Sequence, residues 1–344
     1  MNTVGHFSDD YGPHRLSVEL ANICNLHCSY CFRSEENLYS HHAEFFPLEL
    51  LRRVIAEARA AAQITRLNFT GGEPTLHPQF AEILQTVAAA NLQASFVTNG
   101  WHFERTWPAL TANRANISHV AFSLDGINPE THDRWRGKGS FARVVRAFTR
   151  CHVAGLPFAI KIVVRRDLVE QLEQIAVFSA RMGAAALNFV HVMPTSSGAE
   201  NDLALNRDEQ RAAEEEIALL ARIFKMKIGI DVGYYNVDEQ HAPCAPLAGT
   251  SMNVDYRGRL SLCCNLSGFR GAEAEADVVA DLNTESFASA LDKLRDLAAQ
   301  QLEKRRNALV TLRSQGITPD LYAGSPCLFC LQSYGKIPWH NGAH

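Results

Sequence analysis

The chain reads as an α/β protein with a curved parallel sheet and, at its C-terminal end, a smaller region of different rhythm. Three observations predict this: six short runs rich in Val, Ile, Leu and Phe, a helical pattern after each, and the loss of that alternation beyond about Asp231. Parallel neighbours need crossover connections, which are right-handed, so regular strand-helix alternation implies a parallel sheet with helices outside it. With 344 residues, 47% of them hydrophobic, the chain has material for one large domain and one small one.

The first strand, Leu16-Ser-Val-Glu-Leu-Ala, runs directly into a cysteine-rich loop. Pro47 then opens a helix to Ala62, with Leu48, Leu51, Val54, Ile55 and Ala58 recurring at helical steps. Strands follow at 65–70, 93–98, 118–124, 158–164 and 186–192, alternating with helices at 78–90, 106–113, 141–154, 168–182 and 207–224. The expected boundaries are 1–230 for the sheet domain and 231–344 for the second, which carries a helical insertion over about 265–326. Within it, Glu285 to Arg313 sets Phe287, Leu291, Leu294, Leu297 and Leu302 against a charged face, a stabilising helix packed on the sheet domain or a partner subunit.

A net charge of −4 with no basic run offers no footprint for nucleic acid. No apolar stretch is long enough to span a bilayer, and Met1 to Ser8 lacks the charged and apolar parts of a signal peptide, so the expectation is a cytoplasmic protein without membrane contact. Nine cysteines in a reducing compartment then speak for metal ligation.

Cys24-Asn-Leu-His-Cys28-Ser-Tyr-Cys31 sets three thiols on one short loop. Three soft thiolates suit three irons of a [4Fe–4S] cluster and leave the fourth iron to a non-protein ligand, whereas a zinc site usually pairs a short cysteine spacing with a second distant pair. In Gly71-Gly72-Glu73-Pro74, after the second strand, glycines let the backbone approach a ligand and a carboxylate can accept from an ammonium group. Asn99, Ser123 and Asp125 stand at later strand ends, where parallel folds bind ligands, although an Asx turn explains Asn99 as well. Arg136, Lys161 and Arg165 can pair with a carboxylate, or Arg136 beside Lys138 is simply solvated. His191, in the small-residue loop to Gly198, is a proton carrier or a satisfied core histidine. Isolated mid-helix Cys151 behaves as a small hydrophobe.

The C-x3-C-x2-C loop behind a first strand, with Tyr30 in its aromatic slot and Gly71-Gly72-Glu73 after the second strand, resembles the radical S-adenosylmethionine (radical SAM) superfamily. The resemblance implies a partial (β/α)6 TIM-like barrel, open on one side, and a small C-terminal α+β cluster-binding domain. It also implies S-adenosylmethionine on the open iron, its methionyl amine at Gly71 to Glu73, an electron from a flavodoxin- or ferredoxin-type donor, and a 5′-deoxyadenosyl radical that abstracts hydrogen from a C–H bond. Tyr30, Gly71, Gly72, Glu73, Asn99, Ser123, Asp125, Arg136, Lys161 and His191 are then the cofactor-binding candidates.

Further on, Cys244-x13-Gly258-x4-Cys263-Cys264 and Cys327-Leu-Phe-Cys330 resemble the SPASM extension or its shortened relative, twitch. Lys336 and His340 stand where a full SPASM domain has further cysteines, so the resemblance implies one auxiliary [4Fe–4S] cluster on Cys244, Cys263, Cys327 and Cys330. Structural zinc is the alternative, which spacing alone does not separate. Cys264 is left over: a hydrogen-atom donor that makes the enzyme an epimerase, a buried thiol, or a replacement for Cys263 as ligand. Dehydrogenation of a carbinol with the auxiliary cluster accepting an electron, and peptide crosslinking, are the other outcomes. The stretch before Cys24 is short for a leader-peptide-binding domain, which favours a small sugar- or aminocyclitol-like metabolite or a peptide delivered differently. A non-catalytic iron–sulfur carrier needs neither Gly71-Gly72-Glu73 nor an open iron.

Overall fold

A computed structural model describes residues 15–33, 42–195, 201–232, 244–267 and 275–337. Strands β1 (Arg15–Ala21), β2 (Arg66–Gly71), β3 (Gln93–Thr98), β4 (Ile117–Leu124), β5 (Phe158–Val164), β6 (Ala186–His191) and β7 (Lys227–Val232) pair in chain order, all parallel. On the free edge of β1 lie β8 (Ser251–Val254), parallel to it, then the antiparallel β9 (Arg259–Ser261) and β10 (Val278–Asp281). The result is one ten-stranded open sheet whose end strands are β10 and β7. The boundary expected near residue 230 thus falls inside β7, a seventh parallel strand, and the region beyond joins the same sheet at the opposite edge. The insertion expected to be helical also contains β10.

The helices connecting the parallel strands are α1 (Leu48–Ala62), α2 (Phe80–Ala89), α3 (Phe103–Ala112), α4 (Pro129–Arg136) and α5 (Ser140–Ala154), α6 (Leu172–Arg181) and α7 (Arg207–Ile223). Their apolar stripes cover one face of the sheet: Leu16, Val18, Leu20, Phe69, Phe96, Phe122, Ile160, Ile162 and Phe189 join Val54, Ile83, Val144 and Phe148 in one core. The opposite face is polar. Register aligns Asn253, Ser17, Asn68, Ser95 and His119 across β8, β1, β2, β3 and β4, and Ser123, Lys161 and Asn188 from β4 across β5 and β6. A parallel sheet covered on both faces reads as continuous apolar strands, so alternation here marks a polar inner face distinct from the helix-covered one.

Beyond β9, a single helical turn α8 (Cys264–Ser267) precedes β10, and then come α9 (Phe287–Ser314), α10 (Leu321–Gly324) and α11 (Pro326–Ser333). The amphipathic helix α9 docks on α1, where the Phe287 amide donates to Glu57 Oε2 at 2.7 Å. Among the described residues no helix is long and apolar enough to cross a membrane. The N-terminal segment Met1 to Ser8, part of the loop leading to Gly198, and His340 lie outside the described residues.

Candidate active site

The loop after β1 carries Cys24, Cys28 and Cys31, and the loop after β2 is pressed against its first turn. Gly72 N donates to Ala21 O and Glu73 N to Ile23 O, each at 2.8 Å. A Cβ on Gly72 would stand 1.9 Å from Ile23 O, and one on Gly71, whose φ is +117°, 2.5 Å from Ala21 O. The two glycines therefore permit a close approach to the cysteine loop's own backbone, rather than only to a ligand. Glu73 is buried, and its Oε1 accepts from Thr75 N at 3.2 Å, Thr75 Oγ1 at 2.6 Å and Thr98 Oγ1 at 2.7 Å, while Oε2 accepts from Asn99 N at 2.8 Å. Three chain donors thus meet Oε1 and one meets Oε2, which makes Glu73 a clamp between loops and leaves acceptor capacity on Oε2. Asn99 Nδ2 reaches Asn25 Oδ1 at 3.0 Å and Cys24 Sγ at 3.7 Å, while its Oδ1 accepts from Trp101 N, so the Asx turn and the site contact coexist.

Tyr30, Asp125, Arg136 and Arg165 form a buried network behind the cysteine loop. The Tyr30 hydroxyl and Arg136 Nε both donate to Asp125 Oδ2, and Arg165 Nη1 reaches Asp125 Oδ1 at 2.9 Å. Arg136 Nη2 also donates to the Tyr30 oxygen at 2.9 Å, and the Arg165 guanidinium lies over the Tyr30 and Trp135 rings. Arg136 is turned inward by α4 and paired with Asp125 rather than solvated beside Lys138. Burial alone would raise the Asp125 carboxyl, but Arg136 and Arg165 overcome it and hold it below the usual carboxylate range. His132 Nδ1 accepts the Asp125 amide at 3.1 Å, and burial, with Arg136 adding to it, pushes the imidazole down to about 4.

Burial first, and then the Glu73 charge, raise Cys24 to about 12, and burial raises Cys28 to about 11 against the pull of Arg136. Leu26 N donates to Cys24 Sγ at 3.4 Å, the amide-to-sulfur contact that a cluster thiolate accepts. The donor set fits a cluster. Of the remaining candidates, Ser123 and Lys161 are half-buried register neighbours on the polar inner face. His191 is buried against Glu214 Oε1 at 3.2 Å, which agrees with a satisfied core histidine. Cys151 is fully buried among helix core residues.

A second site lies between α8 and α11. Cys244, Cys263, Cys327 and Cys330 line one small cavity walled by Pro246, Leu247, Leu262, Leu266 and Leu331. Cys264 is not among its lining residues. Three of the four sulfurs receive an N–H: Cys263 from Asn265 N at 3.4 Å, Cys327 from Asn265 Nδ2 at 3.9 Å, and Cys330 from Gln301 Nε2 at 3.3 Å. Burial, joined by the charges of the neighbouring thiols, raises Cys244, Cys327 and Cys330. Among the described residues no three His, Cys, Asp or Glu side chains converge as ligands of a single metal ion, and the ligands of a cube bind separate irons. Helix α9 therefore has a task beyond stability, since it delivers Gln301. Nothing in the sequence marked Gln301, whereas Asn265 adjoins the cysteine pair.

Cys264 adjoins the quartet without lining its cavity. Its hydrogen bond with Cys263 lowers it to about 7 against burial, and the next influences are Arg15 and Lys161, which lower it, and Glu19, which raises it. All three belong to strands β1 and β5. Lys161 shares a register row with Ser123 on the inner face, and Glu19 lies on the side of β1 opposite Val18 and Leu20. The thiol thus feels charges of the inner face of the sheet as well as its neighbours Cys263, Cys244 and Cys327.

The radical SAM superfamily model matches residues 18–178. The chain is 35% identical over 207 residues to mycofactocin maturase MftC of Mycolicibacterium smegmatis, across 58% of this chain and 50% of that protein. It is 27% identical over 267 residues to PqqA peptide cyclase of Gluconobacter oxydans, across 73% and 70%. Streptococcus suis SuiB bound to precursor peptide SuiA superposes with a TM-score of 0.66 at 14% identity, over 83% of this chain and 66% of that one, a likeness of fold. The chain spans about half the length of MftC.

Proposed function

We propose that this chain, whose residues 18–178 match the radical SAM superfamily model, is a peptide-modifying radical SAM enzyme whose product is decided by Cys264. Bound at Cys24, Cys28 and Cys31, the [4Fe–4S] cluster with S-adenosylmethionine supplies a 5′-deoxyadenosyl radical able to take hydrogen from an unactivated C–H. The chain's part is to hold and exclude. Tyr30 locks the cysteine loop to the buried network, Gly71 to Glu73 and Asn99 brace it from the neighbouring loops, and Ser123, Lys161 and Asn188 offer polar contacts on the inner face. Similarity to MftC, to PqqA peptide cyclase and to the fold of peptide-bound SuiB supports the peptide of the two substrate classes expected from the sequence.

The observation that carries the reading is that Cys264 does not line the cavity of the quartet, while the charged side chains that influence its thiol, Arg15, Glu19 and Lys161, belong to strands β1 and β5. Cys244, Cys263, Cys327 and Cys330 then hold an auxiliary cluster, and the Cys264 thiol gives its hydrogen atom to a substrate carbon radical: S–H breaks, C–H forms, and the thiyl returns to thiol by one electron from a flavodoxin- or ferredoxin-type donor and one proton. Hydrogen delivered to the opposite face makes the reaction an epimerisation. A second reading, bond formation within the peptide with the auxiliary cluster as electron acceptor, is supported by the cyclase named among the relatives.

Anaerobic protein given dithionite and S-adenosylmethionine should release 5′-deoxyadenosine and carry about eight irons and eight sulfides; half that iron together with zinc would overturn the auxiliary cluster. In deuterated buffer with the cognate peptide, an epimerase puts one deuterium into product, and Cys264→Ala stops turnover while hydrogen abstraction continues. Unlabelled, ring-closed product selects the second reading.

A further inference from the structure

Glu19 bonds to both cysteine segments at once, and we propose that it is the positioning residue that sets Cys264 against the first cysteine loop. The inference rests on the donor reading of Cys264. Glu19 has no exposed surface and stands on the inner side of β1. One oxygen, Oε1, gathers three donors: Arg33 Nη2 at 2.6 Å, Asn253 Nδ2 at 3.5 Å, and the Ser267 hydroxyl. Arg33 lies two residues beyond Cys31. Ser267 closes the turn that begins at Cys264, its amide donating to Cys263 O at 3.1 Å. Asn253 stands on β8, which pairs with β1 and hands its Nδ2 to Ser261 at 2.9 Å as well.

All four residues are buried, so the junction has no water shell in which to relax. The Glu19 and Arg33 charges are only 0% and 4% exposed, and a buried pair broken on one side leaves an uncompensated charge. A shift of Arg33 must therefore be followed by the carboxylate, and a shift of the carboxylate by Ser267. Cleavage of S-adenosylmethionine needs only the first loop. Delivery of a hydrogen atom from Cys264 needs the first loop and α8 in fixed relation, and Glu19 is the side chain that joins them.

The test cuts one arm at a time in the anaerobically purified full chain and reads amide hydrogen exchange by segment. Ser267→Ala should speed exchange at 24–33, and Arg33→Gln should speed it at 263–267, by about threefold or more in the segment the substitution does not touch. Loosening confined to each variant's own segment overturns the proposal. The second readout is partition: Ser267→Ala and Glu19→Gln should raise 5′-deoxyadenosine formed per product by about fivefold, whereas a merely unstable protein loses both together and leaves the ratio unchanged, which also overturns it. If Glu19→Gln does not fold, Ser267→Ala carries the test alone. Should Cys264→Ala leave product formation intact, the donor reading fails, and the exchange experiment still judges the junction by itself.

Discussion

The first cysteine loop and the C-terminal quartet hold the same kind of sulfur in opposite surroundings. Cys24, Cys28 and Cys31 come from one short loop braced by ions and hydrogen bonds, with Tyr30, Asp125, Arg136 and Arg165 behind it and Glu73 beside it. Cys244, Cys263, Cys327 and Cys330 come from three separate stretches of chain, and leucine and proline wall their cavity. The first arrangement is braced on two sides by ion pairs and hydrogen bonds of the protein itself. The second leaves more of that work to the metal, with Asn265 and Gln301 trimming the charge on sulfur.

Exchanging ligands should separate the sites most sharply. Alanine at Cys24, Cys28 or Cys31 should each cut 5′-deoxyadenosine formation by about 1,000-fold or more, while Cys327→Ala stays within roughly tenfold of the parent, read by chromatography of the nucleoside. Equal losses would break the comparison. Next, Asp125→Asn leaves two buried guanidiniums without their shared carboxylate and should cost about 3–5 kcal/mol in denaturant unfolding, whereas Tyr30→Phe, which deletes one hydroxyl, should cost about 1 kcal/mol.

The brace also carries its own acid sensitivity. His132 is pushed down from 6.5 to about 4 in the folded chain, so the unfolded chain takes up the proton first. Stability is then complete above about 6.5, falls as pH drops towards 4, and has lost about 2 kcal/mol by pH 5. His132→Gln lacks this dependence, so the stability gap between parent and variant should shrink from pH 7 to pH 5. Stripping metal with a chelator should raise amide exchange about tenfold in 244–267 and 326–333 and much less in 24–31; equal loosening would show that the first loop, too, depends on its metal. The smallest effect belongs to Gln301→Leu: loss of an N–H donor to Cys330 should lower the auxiliary cluster's reduction potential by on the order of 50 mV, followed by electron paramagnetic resonance titration.

All six expected strands form within a residue or two of their sequence bounds, because each apolar run packs on a helix whose period is equally plain. The seventh, β7, was missed since Lys-Ile-Gly-Ile-Asp-Val begins right after a helix and carries a glycine. The start of α4 is legible in Asn128-Pro129, where the Asn128 side chain accepts from Thr131 N at 2.9 Å, and the turn of α4 is what brings Arg136 inward. Both cysteine sets were legible because cysteines at short spacing are rare. Their supports were not: Tyr30 and Asp125 are 95 positions apart, Glu19 and Ser267 are 248 apart, and neither pair has a local pattern.

The junction between β1 and β8 also orders events in time. Arg15 and Ser251 are 236 positions apart, so the strand made first is left with a bare backbone edge until the one that covers it leaves the ribosome. At roughly 5–20 residues per second that is an interval of about 10–50 s. During it, the segment that ends in Cys24 has only β2 beside it and an open ladder on the other side, the kind of edge that recruits foreign strands. Timely cover by a chaperone, or by the cluster-assembly machinery itself, would protect the nascent chain at its most adhesive point.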